Sequence, residues 1–228
     1  MKIERKRQEF GKNLLKWRQK NNPDSIFPWR NTEDPYEILV TECLLKKTTR
    51  TQVAKMWPEF VEKFPDVYSL KNADVRVLKK IIKPLGMVNI RSAMLKKLAE
   101  KIIKNYNGKI PDEKEELLQL PGVGGYVANA VLCFAFKKDV SMIDTNIMRV
   151  LHRVFSLNSD KARPRMDKKL WEFVENLPPK GSGRDFNLAI LDFAGEVCRP
   201  ANPKCEKCIM NKMCDYYLGS RKDSYAKG

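Results

Sequence analysis

The segment VANAVLCFAF, from Val127 to Phe136, is apolar on almost every side. A helix with that pattern has no face left for solvent, so other elements must wrap it. Helical spacing supplies them. Ile3, Phe10, Leu14 and Trp17 make one stripe in residues 1–20, the other side of which is basic. Asn21–Ser25 reads as a breaker, Phe27–Arg30 as an extended connector, and Asp34-Pro35 as a helix start with Pro at the first helical position. An apolar run from Ile38 to Leu45 follows. Further helices are expected over Gln52–Lys63, Asp74–Lys83, Asn89–Tyr106 and Asp112–Gln119, with breaks near 58, 65, 84–86, 108–111 and 121–125. Ile147, Val150, Leu151 and Val154 mark another, and Leu170–Asn176 and Phe186–Val197 two more. No run alternates as a strand would, and no repeat recurs at a fixed period. The expected fold class is all-α.

Charge limits what such a chain does. Its 228 residues carry 44 Lys+Arg against 28 Asp+Glu, a formal net charge of +16. With 43% hydrophobic residues this is a chain with a real core and not a polybasic tail. No span of roughly 20 apolar residues is present, and the start MKIERKRQEF lacks the apolar region of a secretory signal. A compact protein this basic points to a polyanion: nucleic acid first, then an anionic membrane surface.

Of six cysteines, Cys43 and Cys133 sit in apolar runs and read as small core residues. Cys198, Cys205, Cys208 and Cys214 instead crowd into C-x6-C-x2-C-x5-C. Without a secretion signal, such clustering suits metal better than disulfides. Zinc sites generally pair two short spacings across a longer loop, whereas here one short pair lies in the middle, which favours a [4Fe–4S] cluster.

Three further constellations carry chemistry. In Leu120-Pro121-Gly122-Val123-Gly124-Gly125-Tyr126, Pro stops one helix and the glycines allow a turn into the next. That is an ordinary helix–helix turn, or one presenting backbone N–H groups to a phosphate. Asp144 precedes an amphipathic helix and serves as its N-cap, or as a fixed anion facing a developing positive charge. Glu42 interrupts the apolar run 38–45 and is either a narrow solvent stripe or a buried acid that keeps its proton.

Leu120-Pro121-Gly122-Val123-Gly124, an Asp about 20 residues on, and the cysteine spacing together resemble the helix–hairpin–helix DNA glycosylases with an iron–sulfur loop. The resemblance runs from Phe27-Pro28-Trp29-Arg30 to Cys214, and is strongest to archaeal mismatch-specific thymine DNA glycosylases, then to adenine DNA glycosylases and endonuclease III. It implies two helical lobes flanking a DNA-binding cleft: a six-helix barrel with the helix–hairpin–helix over 28–137, and a [4Fe–4S] cluster lobe over 1–27 and 138–228. It implies base flipping, because the bond a glycosylase cuts is out of reach while the base stays stacked in a duplex. Asp144 matches the essential Asp, which stabilises oxocarbenium-like character on the sugar or orients water. Bifunctional relatives carry Lys at the position of Tyr126, and a phenol cannot form their imine, so Tyr126 implies a monofunctional enzyme that uses water. Adenine glycosylases usually have Ser there and thymine mismatch glycosylases Tyr. Glu42 aligns with an acid shared by both groups and would act as a general acid in adenine removal.

By the same resemblance Lys47, in Lys46-Lys47-Thr48-Thr49, and Met87, in Leu85-Gly86-Met87-Val88-Asn89-Ile90-Arg91, fill space near the vacated base stack. Lys47, Met87, Arg91, Gly122, Val123, Gly124, Lys204 and Lys207 are the residues expected at DNA, with Arg199 and Lys212 beside the last two. His152 reads as a surface or packing residue. The chain stops 14 residues past Cys214, where 8-oxoguanine-directed adenine glycosylases generally append a domain. The expected function is removal of thymine or uracil opposite guanine, by a monomer acting on mismatched double-stranded DNA without a membrane, in the cytoplasm with the nucleoid. Removal of adenine opposite guanine or 8-oxoguanine is the other enzymatic reading. A non-catalytic iron–sulfur DNA-binding module would need neither Asp144 nor Glu42.

Overall fold

The computed structural model describes residues 3–21, 27–159, 161 and 167–225, with side chains to residue 220. Among these residues every regular element is a helix. The chain forms two compact units, one of Met1–Asn22 with Asp139–Gly228, the other of Pro23–Lys138.

In the unit of Pro23–Lys138, the apolar run becomes α8, Gly125–Phe134, and every residue from Val127 to Phe134 is buried. Helix α2 (Pro35–Leu44) packs on it. Asp34 caps α2, its carboxylate accepting from the Glu37 amide at 2.9 Å, with Pro35 at the first position. Leu39, Cys43 and Leu44 are fully buried, and burying each leucine contributes about 2 kcal/mol. Helix α3 (Arg50–Lys63) begins two residues earlier than expected because Thr49 and Gln52 form a reciprocal capping box. Pro58, counted among the breaks, lies inside α3; it removes one hydrogen-bond donor without ending the helix.

The short helix α4 (Val67–Asn72) was not legible from periodicity; a capping box of Asp66 and Ser69 starts it. Helices α4 and α5 (Val75–Ile82) pack on the long α6 (Val88–Tyr106), and α7 (Lys114–Leu118) on α8. The connector at Phe27–Arg30 is not extended throughout: Pro28–Asn31 is one turn of 3-10 helix, closed by the Arg30 amide on the Phe27 carbonyl. Cys43 and Cys133 are core residues, 0% and 1% exposed.

In the other unit α1 (Ile3–Asn21) packs on α11 (Gly183–Glu196). Phe10 is fully buried and meets Phe155 and Phe186 edge-on at 5.1 and 6.3 Å. Trp17 meets Phe193 the same way at 5.6 Å. Ile3 leaves the expected stripe, being exposed at the helix start. The basic side of α1 is not all solvated either: Arg18 is buried against Asp192 at 3.4 Å, and Lys6 pairs with Asp215 at 2.6 Å. Burying a charge requires such a partner. Asn21 closes α1 through its side chain on the Trp17 carbonyl at 2.7 Å; the rest of the expected breaker, 22–25, lies outside the described residues. Helices α9 (Thr145–Phe155) and α10 (Lys168–Glu175) match two of the expected elements, and α12 (Asp215–Tyr225), which had no clear apolar period, packs on α9.

Candidate functional site

The hairpin between α7 and α8 is built by two glycines with different tasks. Gly122 has φ of +79°, a left-handed conformation, and a Cβ there would stand 2.5 Å from the Met94 sulfur. Gly124 is extended and is the N-cap of α8, where no side chain caps the helix. The helical ladder starts only with the Ala128 amide on the Gly124 carbonyl, at 2.9 Å. Space is open where a Cβ would stand at Gly124 or Gly125, so an anion could approach this helix end closely. Val123 and Tyr126 are half-buried beside it. Lys46 braces the turn by donating to the Gly122 carbonyl, which the Cys43 sulfur also approaches at 3.9 Å. Burial pushes the Cys43 thiol up to about 12, so it stays neutral.

Glu42 precedes Cys43 on α2 and is only 7% exposed, so it forms no solvent stripe. Its neighbour Thr41 accepts a hydrogen bond from Trp57 at 2.8 Å.

Two nearby loops hold residues in the left-handed region: Lys47 at φ +55°, Gly86 at +69° and Met87 at +50°. For a residue with a side chain that conformation costs roughly 1–2 kcal/mol, so the surroundings must impose it. Met87 is the N-cap of α6 and is 49% exposed; Lys47 is exposed as well. Arg91, expected at DNA, is 5% exposed. Its guanidinium donates to the carbonyls of Gly86 at 3.1 Å, Leu44 at 3.2 Å and Lys46 at 2.6 Å. Most of its donor capacity is therefore used inside the protein.

In the unit containing α9, Asp144 is the helix N-cap. Its carboxylate accepts from the amides of Asn146 at 2.9 Å and Ile147 at 2.7 Å, and from the Asn146 side chain at 2.9 Å. Arg149 donates to the Asn146 side-chain oxygen at 3.0 Å, which turns the Asn146 amide nitrogen towards Asp144. The same guanidinium reaches the carbonyls of Ala194 and Cys198, each at 2.9 Å. Sequence reading missed Asn146 and Arg149, although their i,i+3 spacing just beyond an N-cap Asp was visible.

Cys198, Cys205, Cys208 and Cys214 all line one small recess, with Phe193 and Met210 among its walls. Burial raises the thiols of Cys205, Cys208 (up to about 11) and Cys214. Arg153 donates to the Cys198 sulfur at 3.5 Å, and the Met210 amide to that of Cys208 at 3.4 Å. Among the described residues no three His, Cys, Asp or Glu side chains gather about a point as a single ion requires. Four cysteines lining one recess are a donor set of the kind an iron–sulfur cluster takes. Lys204 and Lys207 stand exposed on the same loop, as do Arg199 and Lys212. His152 is exposed, in keeping with a surface residue.

The structure thus ties Lys46, Arg91, the two loops and the hairpin together in one unit, and Asp144 to the first cysteine's backbone in the other. No helix among the described residues is long and apolar enough to cross a membrane.

Residues 40–176 match the model of the HhH-GPD superfamily base excision DNA repair proteins. The thymine/uracil-DNA glycosylase of Pyrobaculum aerophilum is 40% identical over 212 residues, 92% of each chain. The solved structure of a thermostable thymine-DNA glycosylase superposes with a TM-score of 0.90 at 40% identity, covering 96% of this chain and all of the other. A non-covalent endonuclease III–DNA complex superposes with a TM-score of 0.78 at 24% identity, covering 91% and 95%, and shares the fold.

Proposed function

Because the chain belongs to the HhH-GPD superfamily of base excision DNA repair proteins, we propose that it is a monofunctional DNA glycosylase that removes thymine or uracil mispaired with guanine. The observation that carries the chemistry is the Asp144 carboxylate, fixed by two helix-terminal amides and the Asn146 side chain. A pre-oriented anion of this kind stabilises positive character on the deoxyribose as the base departs, at no cost in reorganisation during the reaction. The glycosidic electron pair leaves with the pyrimidine. Water adds to the vacated sugar carbon and gives its proton to Asp144, and a proton returns to the departing base. Glu42, a buried acid, is the donor we assign to a carbonyl of that base. Tyr126 stands at the second position of α8, and its phenol offers no amine for a Schiff base, so the product is an abasic site on an unbroken strand. Similarity to thymine/uracil-DNA glycosylases over nearly the whole chain supports the choice of base.

The partner is double-stranded DNA, bound by a monomer where the chromosome lies, in the cytoplasm with the nucleoid. Backbone amides at Gly124 and the exposed Lys204 and Lys207 suit its phosphates. Met87 and Lys47 suit the space left by an extruded nucleotide. Cys198, Cys205, Cys208 and Cys214 would hold a [4Fe–4S] cluster, which when bound orders the loop that presents those lysines. Labelled duplexes containing G·T, G·U, A·G or A·8-oxoG, scored with and without hot alkali, test the proposal. Release from G·T and G·U with breaks only after alkali is expected. Adenine release alone would overturn the substrate, breaks without alkali the role of Tyr126, and tight binding with no release the enzyme itself.

A further inference from the structure

Arg91 belongs to no step described so far, yet its side chain makes three hydrogen bonds to the two loops assigned to DNA. It lies one helical turn into α6, its amide bonding the Met87 carbonyl at 2.9 Å. The guanidinium reaches back along its own chain to Gly86, and across to Leu44 and Lys46 at the end of α2. The three carbonyls it holds lie just before Lys47 on one loop and Met87 on the other, exposed side chains that both stand on left-handed backbone. Other ties run in parallel: Gln52 donates to the Pro84 carbonyl at 3.1 Å, and Lys46 to the Gly122 carbonyl. Burial lowers the affinity of Arg91 for its proton, as expected of a cation withdrawn from solvent.

We propose that Arg91 is a positioning residue that locks the 45–48 and 84–88 loops into one rigid platform, so that Lys47 and Met87 enter the DNA stack together. This rests on the proposed assignment of those loops to DNA. A planar fork with five donors can hold three carbonyls at once, whereas a lysine ammonium is a single point and cannot take the place of such a fork. A wedge that moves independently of its neighbour spends its binding free energy on being ordered, and less is left to unstack a base step.

The test uses a duplex carrying 2-aminopurine beside a G·T mismatch, whose fluorescence rises on unstacking, with base release read in the same samples. Wild-type protein should raise the signal. Arg91→Lys should still bind the duplex, with the rise reduced by about threefold or more. Gly86→Ala disturbs the same carbonyl from an exposed site with open space around it, without opening the core, and should lower the signal likewise. Adding Arg91→Lys to a Lys47→Ala, Met87→Ala background should make that background no worse, because the brace acts through those two side chains. An undiminished rise in Arg91→Lys or Gly86→Ala, a further loss when Arg91→Lys joins that background, or no rise with wild type would each overturn the inference. Absence of base release beside a normal fluorescence response would instead sink the glycosylase reading and leave the brace standing.

Discussion

Gly122 and Gly124 lie two residues apart, and replacing each with alanine should separate the scaffold of the hairpin from its function. At Gly122 an added methyl meets two penalties. Alanine in the left-handed region costs roughly 1–2 kcal/mol. Its Cβ would also stand 2.5 Å from the Met94 sulfur, which must shift; since that side chain is flexible, this adds less than the 1–3 kcal/mol typical of overpacking. A loss of about 2 kcal/mol corresponds to a drop in Tm of roughly 4–8 °C for a chain of this size. Gly124 is extended, with nothing within 4 Å of a would-be Cβ, so the same methyl should leave Tm almost unchanged. It would, however, stand at the uncapped end of α8, in the path of a phosphate. Losing one charge-assisted contact of about 1.5–3 kcal/mol weakens duplex binding by roughly 10- to 150-fold. Thermal unfolding and a fluorescence-anisotropy titration at fixed salt measure both quantities. If Gly124→Ala binds as wild type, or melts as early as Gly122→Ala, the hairpin does not present its backbone to DNA.

Further outcomes follow from the same geometry. Asp144→Asn should abolish base release while leaving duplex binding and Tm nearly intact, since Asn caps a helix about as well as Asp; single-turnover kinetics beside a binding titration check this. Cys208→Ser should remove the broad visible absorption of thiolate-bound iron from protein purified without oxygen, and metal analysis finding zinc instead in the wild type would refute the cluster. Asp66 is held below the usual carboxylate range by its bond to the Ser69 amide. Asp66→Ala should therefore cost about 1 kcal/mol at neutral pH. Because the folded-state value is the lower one, that contribution is present above the unfolded-state pKa and fades as pH falls through the folded one, so denaturant titrations of variant and wild type should converge in acid.

The sequence revealed what repeats along a helix and what punctuates it. The unbroken apolar run that became α8 could only be a buried helix, and Asp34-Pro35 and Asp144 announced their caps through residue type alone. Helix α4 escaped because six residues are too few to show a period, and Pro58 misled because packing of Val53, Met56 and Phe60 holds α3 together around a missing donor. Asp144 and the four cysteines were legible by spacing. Arg91 was legible only as a positive charge, and its burial against three carbonyls depends on where α2 ends relative to α6, a tertiary fact. Lys46 and Arg149 were hidden for the same reason: each bonds a carbonyl more than 40 residues away in the chain.

The most direct measurement is mass spectrometry of the products from one turnover on a G·T duplex. Free thymine together with a full-length strand carrying an abasic site is the predicted result. A strand already shortened before alkali, or a duplex from which no thymine has been released, would contradict it.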